Sequence, residues 1–209
     1  MIQMFYEDTL NSLSKIYRAN LVNSLSGFKS ANLIGTKNTI NQENLCIVSS
    51  VIHIGSNPPL MGIVFRPNVV PRHTYENILE TGFFTINSID HSIIQKAHLT
   101  SAKFSRNESE FQAVGLTPVY KKDFFAPYVD ESKINIGLSL EENITIESNG
   151  THLVIGKILY IETLKQAIDS DGRVSLESLQ TTCISGLGSY HKTKLIAQYN
   201  DIHLKDIKK

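Results

Sequence analysis

Apolar side chains change their period along this chain. Phe5, Leu10, Leu13 and Ile16 recur at near-helical intervals and Leu21, Val22 and Leu25 continue the stripe, predicting one or two helices that stop at Gly27. From Ala31 the apolar runs shorten and become β-branched, so residues 32–36, 45–54, 60–65 and 83–86 read as strands. Polar turns at 41–44 and 55–59 separate the first three, and Pro58 and Pro59, which lack N–H donors, exclude that segment from a central strand. Residues 72–82 predict a short helix with Thr74 as N-cap and Gly82 beyond its end. Ile89, Ile93, Ile94 and Ala97 share one helical face, which predicts a second helix over 88–98, and 108–114 adds a turn or two. Strands resume at 134–140, 144–147, 152–163 and 181–184, before Gly186, Gly188 and a polar tail. Between two of them, Asn149 and Gly150 predict a type I′ hairpin, whose central residues both need positive φ.

Many short strands with hairpin connections argue for a mainly β fold, an antiparallel Greek-key type barrel with peripheral α-helices; a doubly wound sheet does not fit. The 209 residues, 41% of them hydrophobic, suffice for one compact domain. The expected organisation is a helical extension over 1–30, the barrel over 31–192 and a polar tail over 193–209.

Charge removes several function classes. The formal net charge is +0 and no basic cluster stands out, so no nucleic-acid or anionic-membrane footprint is expected. Glu7, Asp8, Lys15 and Arg18 interrupt the first 25 residues, which excludes a signal peptide or membrane span there and predicts a cytoplasmic protein. Cys46 and Cys183 lie far apart in apolar runs and read as inert core residues. Asn-x-Ser/Thr triplets at Asn107, Asn143 and Asn149 read as polar surface. Seven histidines, at 53, 73, 91, 98, 152, 191 and 203, are too scattered for a helical metal pair, so no metal is assigned. Dinucleotide, P-loop, nucleophile-elbow and zincin motifs are absent.

What remains is a set of hydroxyl and basic residues at predicted strand ends and helix starts: Ser49 and Ser50, Arg66 and Pro67, Arg72 with Thr74, and Thr100, Ser101, Ala102 and Lys103. Hydroxyls, backbone N–H groups and one or two fixed cations suit a phosphate dianion. The same residues also fit purely structural roles, with Thr74 capping, the serines packed in a bulge and Lys103 solvated.

The run from Asn44 to Ser50, then Asn57 to Leu60, Arg66 and Pro67, Thr74 to Ile78 and Glu80 to Asn87 resembles the flavin reductase-like domain, the FMN-binding split barrel. Thr100 to Phe104, Glu110 with Phe111, and Gly115 to Pro118 continue the resemblance, which spans roughly residues 30 to 190. It implies FMN as cofactor, NADH or NADPH as co-substrate, and a homodimer with the flavin near the interface.

Carried over residue by residue, the resemblance implies that Ser49 and Ser50 line the isoalloxazine, with Asn44 reinforcing that wall. Arg66 and Pro67 would lie at the strand end beside the flavin, and Arg72 with Thr74 at the nearby helix start. Asn87, Thr100, Ser101, Ala102 and Lys103 match the segment receiving the ribityl phosphate, with Lys103 as its cation. His191 would face the substrate side or, alternatively, be a surface histidine. No catalytic acid or base is assigned, because the cofactor performs the hard step. The implied activity is NAD(P)H-dependent flavin reduction, passing hydride or electrons through FMN. The alternatives are a non-enzymatic FMN-binding electron carrier or flavin store, and a barrel for another anionic ligand such as pyridoxal phosphate or a haem-related molecule.

Overall fold

The computed structural model describes residues 1–199 and 203; the remainder of the expected tail lies outside the described residues. Two helices open the chain, α1 (Glu7–Ser12) and α2 (Lys15–Leu25), the latter capped by Ser14, whose hydroxyl accepts the Tyr17 N–H at 3.4 Å. The helical period was therefore legible, yet neither helix contains a buried residue, and Ile16, Tyr17, Val22 and Leu25 all face solvent in the single chain.

Strands β1 (Lys29–Ser30), β2 (Asn32–Lys37), β3 (Glu43–Val48), β4 (Val51–Ser56) and β5 (Pro59–Phe65) precede α3 (His73–Thr81) and β6 (Phe83–Ser88). After α4 (Ile94–Leu99) and α5 (Glu110–Val114) come β7 (Pro118–Val119), β8 (Tyr128–Val129), β9 (Ile134–Ile146), β10 (Thr151–Thr163), β11 (Thr182–Ser185) and β12 (Ser189–Lys192). Seven of these form one antiparallel sheet in the order β3-β2-β6-β9-β10-β5-β4. A smaller sheet, β1-β11-β12, packs the C-terminal hairpin beside it.

The two edges of the large sheet, β3 and β4, are consecutive in sequence and separated only by Ser49 and Ser50. Three Cα steps span at most about 11 Å, so the sheet has to curl until its opposite edges nearly meet. No ladder joins β3 to β4 among the described residues. The expected barrel is thus seen as a curled, mixed α/β arrangement: a large antiparallel sheet with peripheral helices.

Residues 45–54, read as one strand, are two. The Ser50 hydroxyl donates to the Val64 carbonyl at 2.8 Å, and the backbone on either side pairs with different partners, β2 before the corner and β5 after it. The segments 134–140 and 144–147 are instead one strand. Leu140 opposes Gly156 and Glu142 opposes Ile155, leaving Glu141 as a bulge that resets the alternation.

The hairpin loop is not type I′. It holds four residues, and only Gly150 has positive φ, at 69°, while the Asn149 side chain accepts the Thr151 N–H at 3.0 Å. The helix expected over 88–98 shrinks to Ile94–Leu99, because Ile89 is held extended: its N–H donates to Ala31 O at 3.3 Å and its carbonyl accepts the Thr182 N–H at 2.8 Å.

The core lies on both faces of β2. Ile34 joins Ile63, Phe84, Ile86, Leu138 and Val154 inside the curl, whereas Leu33 joins Leu45, Ile89, Phe111 and Val129 beneath α4 and α5. Burial on both sides explains why Leu33 and Ile34, adjacent and pointing to opposite faces, are both apolar. No helix among the described residues is long and apolar enough to cross a membrane.

Candidate functional site

The corner at Ser49 and Ser50 opens into a cavity of about 940 Å³. Its walls come from the ends of β3 and β5, the start of α3, the stretch from His98 to Ser105, and the β11–β12 hairpin. Of the residues singled out in the sequence, Asn44, Ser49, Ser50, Arg66, Arg72, Thr74, Thr100, Ser101, Ala102 and Lys103 border this one space. Pro67, Asn87 and His191 do not.

Asn87 is fully buried elsewhere. Its amide donates to Leu33 O at 3.1 Å and Thr85 Oγ1 at 2.8 Å, while its carbonyl accepts the Val129 N–H at 3.1 Å, so it staples β8 to the sheet. His191 turns away on β12, with Nε2 2.8 Å from Ser185 Oγ and its ring 4.8 Å from that of Phe28.

Thr74 does not cap α3. The helix begins after Arg72, whose N–H is accepted by Glu76 Oε1 at 3.0 Å, and the Thr74 hydroxyl donates to Asn44 Oδ1 at 2.5 Å. Asn44 Nδ2 in turn donates to Glu110 Oε1 at 2.6 Å, and Glu110 Oε2 accepts the Leu45 N–H at 3.0 Å. A buried polar chain thereby ties β3, α3 and α5 into one rigid wall. Burial pushes the Glu110 carboxyl above its ordinary value, although the Leu45 and Asn44 donors pull the other way.

Neither cysteine belongs to the deep core. Both are of intermediate exposure, and Cys46 borders the cavity. Burial of its thiol pushes the pKa up to about 12, so it stays protonated at neutral pH. His73, also in the wall, is lowered by burial and then by the Arg106 charge, which favours the neutral ring.

The polar groups suit an anion. Arg72 Nε is buried and has no hydrogen-bond partner among the described residues, leaving a donor beside the cavity that an acceptor oxygen would satisfy. Arg66 and Lys103, both exposed, border the same space and make no ion pair among the described residues. Cys46, Ile47, Val48 and Phe65 supply apolar wall to the same cavity. A phosphate-bearing planar molecule fits this donor set, and the volume lies within the usual range for small-molecule sites, roughly 300–1,000 Å³.

Sequence reasoning left several polar lining residues unassigned, and Tyr190 entered it only within the segment Gly188–His191, which resembles a tyrosine-containing stretch of the flavin reductase-like family. Glu110 was quoted only as part of a resemblance, and Asn23 belongs to α2, outside it. His98 and Tyr190 meet across 92 positions, with His98 Nδ1 2.9 Å from the Tyr190 hydroxyl. No local signal announces such a pair.

The large antiparallel sheet with its peripheral helices agrees with the family comparison, in which residues 25–175 match the Flavin reductase like domain. The chain belongs to this family of flavin reductase-like, FMN-binding split barrels. It is similar to a provisionally assigned flavin reductase with a split barrel domain from Shewanella frigidimarina NCIMB 400, at 46% identity and a TM-score of 0.92, covering 96% of this chain and 100% of that one. It shares its fold with nitrilotriacetate monooxygenase component B from Bacillus cereus, at 21% identity and a TM-score of 0.83, covering 95% and 99% of the two chains. An uncharacterized protein of Aquifex aeolicus (strain VF5) is 25% identical over 147 residues, 69% of this chain and 73% of that protein.

Proposed function

We propose that this chain holds FMN in the cavity at the Ser49–Ser50 corner and works as an NAD(P)H-dependent flavin reductase-like oxidoreductase. The observation that carries this reading is the buried Arg72 Nε, which has no hydrogen-bond partner among the described residues, beside a cavity walled by hydroxyls, Lys103 and an apolar strand face. Arg72 and Lys103 would neutralise the phosphate, with the Ser101 hydroxyl and local backbone amides supplying further donors. Cys46, Ile47 and Val48 would cover one side of the ring system and exclude water there. FMN, when bound, supplies two-electron chemistry with a nicotinamide donor and onward transfer in one- or two-electron steps. The rigid chain Thr74–Asn44–Glu110 would keep the wall from yielding as ligands exchange.

A homodimer is part of this proposal. The exposed apolar side chains of Ile52 and Ile54 on β4 and of Ile144 and Ile146 on β9 offer a surface that a second copy would cover.

The test is anaerobic mixing of purified protein and FMN with NADH or NADPH, together with sedimentation to determine mass. Bleaching of the visible flavin band supports the reductase. Retained FMN without bleaching leaves the electron-carrier reading, and a protein that binds no FMN overturns both.

A further inference from the structure

Residues 66–72 connect β5 to α3 and carry an arginine at either end, Arg66 and Arg72, both bordering the cavity. Six Cα steps span at most about 23 Å, so the loop by itself leaves the distance between its ends wide latitude. Its two flanks, however, are fastened to the hairpin of β9 and β10, and at the same residue. On one side Phe65 is the ladder partner of His152. On the other, Tyr75, in the first turn of α3, stacks its ring on the His152 imidazole, with centroids 4.6 Å apart and planes at 18°. The Tyr75 hydroxyl accepts the side-chain amide of Asn143 on β9 at 2.9 Å, and the Phe65 and Tyr75 rings meet at 5.6 Å. Thr145, opposite His152 in the ladder, places its hydroxyl 3.2 Å from His152 Nδ1 and holds the imidazole in its plane. Within the loop, Pro67 lies against the hairpin turn, since a Cβ on Gly150 would be 3.7 Å from Pro67 Cβ. Phe65 and Tyr75 border the cavity, whereas His152 and Asn143 do not, so these two act on it only through what they hold.

We propose that His152 is a positioning residue for anion binding: by joining the strand before the arginine loop to the helix after it, His152 sets the distance between the Arg66 and Arg72 backbones. The inference rests on the FMN reading above, in which a phosphate is what the cations of the cavity meet. A guanidinium donates its N–H groups in a fixed fork, so its bonds to phosphate oxygens survive only small displacements of the backbone that carries it. A flat ring covered by apolar wall makes no such directional demand. Loosening the His152–Tyr75 stack therefore costs affinity for the phosphate and spares affinity for the ring. The pairing of residue 152 with Phe65 is made by backbone groups, so the stack can be removed while the ladder stays.

The test titrates the apoprotein with FMN and with riboflavin, following fluorescence, and measures denaturant unfolding alongside. His152→Ala is expected to lower the ratio of FMN to riboflavin affinity about 3- to 10-fold, the range for a lost ring stack. His152→Phe keeps a ring on Tyr75 and removes both ring nitrogens, and it should restore most of the ratio. Asn143→Ala leaves the ring pair in place and deprives the Tyr75 hydroxyl of its donor; it should lower the ratio about 2- to 5-fold, and it carries the test where a histidine variant does not fold. A purely structural role would reduce stability and leave the ratio at its natural value. That outcome in the alanine variants, or a phenylalanine that folds without restoring the ratio, overturns the proposal. A natural protein that binds FMN no better than riboflavin, or binds neither, overturns the phosphate reading itself and the inference with it.

Discussion

The Asn44 side-chain amide donates to Glu110 Oε1 at 2.6 Å, joining an edge strand to a helix 66 positions further along the chain. Both residues are buried, and every atom of the Glu110 carboxylate is engaged, since Oε2 accepts the Leu45 N–H. The cavity wall is therefore held by an acceptor-only group facing two donors.

Glu110→Gln places an N–H opposite one of those donors. The expected loss is about 1–3 kcal/mol, the cost of an unsatisfied buried donor, read by denaturant unfolding of the apoprotein. Its pH dependence has a definite sign. Because the folded pKa is raised above the ordinary 4.5, the folded state binds more protons between the two values. Glu110 thus contributes most below 4.5 and loses that contribution as pH rises through its folded pKa; the glutamine variant should flatten this part of the profile. An unchanged slope would refute the assignment.

Arg72 and Lys103 are separable by magnitude. Arg72→Gln removes the buried donor and should weaken FMN about 10- to 100-fold, in the range of a hydrogen bond to a charged group. Lys103 is exposed, so Lys103→Ala should cost only about 2- to 5-fold. Riboflavin, which lacks the phosphate, should bind both variants nearly as it binds the natural protein, as measured by fluorescence titration. Equal weakening of FMN and riboflavin would remove the phosphate role.

Gly35 sits where two elements touch. A Cβ there would lie 2.2 Å from the Pro127 carbonyl oxygen and 2.6 Å from Thr85 Oγ1, and the first of these is backbone that cannot swing aside. Gly35→Ala should destabilise by about 1–3 kcal/mol or more. Gly55→Ala is the control, because its nearest neighbour would be 3.5 Å away, and its melting temperature should stay close to that of the natural protein.

Ser50 holds the corner. Removing its hydroxyl bond to Val64 O should cost about 1 kcal/mol in thermal or chemical unfolding. Ser49→Ala, which deletes no side-chain hydrogen bond among the described residues, should leave stability within about 0.5 kcal/mol.

Local chemistry explains which elements could be read in advance. Strand positions follow from β-branched runs, α3 from its period and the Gly82 terminus at φ 75°, and α2 from a stripe that turns out to face solvent. The misreadings share one cause. Ile89 belongs to a helical pattern but is claimed by Ala31 and Thr182, and Asn87 resembles a phosphate ligand but is claimed by Leu33, Thr85 and Val129. In each case distant backbone overrode a local preference.

By itself the amino-acid order determined the elements, the turns that separate them, and the pool of hydroxyl and basic groups from which a phosphate site could be drawn. Periodicity and turn preference act over a few bonds, so they are written where they act. Only the tertiary structure decided that the chain bends at Ser49 and Ser50, bringing opposite sheet edges together, and that Asn44 meets Glu110 and His98 meets Tyr190. Those pairings depend on how the sheet curls, a property of all seven strands at once, and no short stretch of residues carries it.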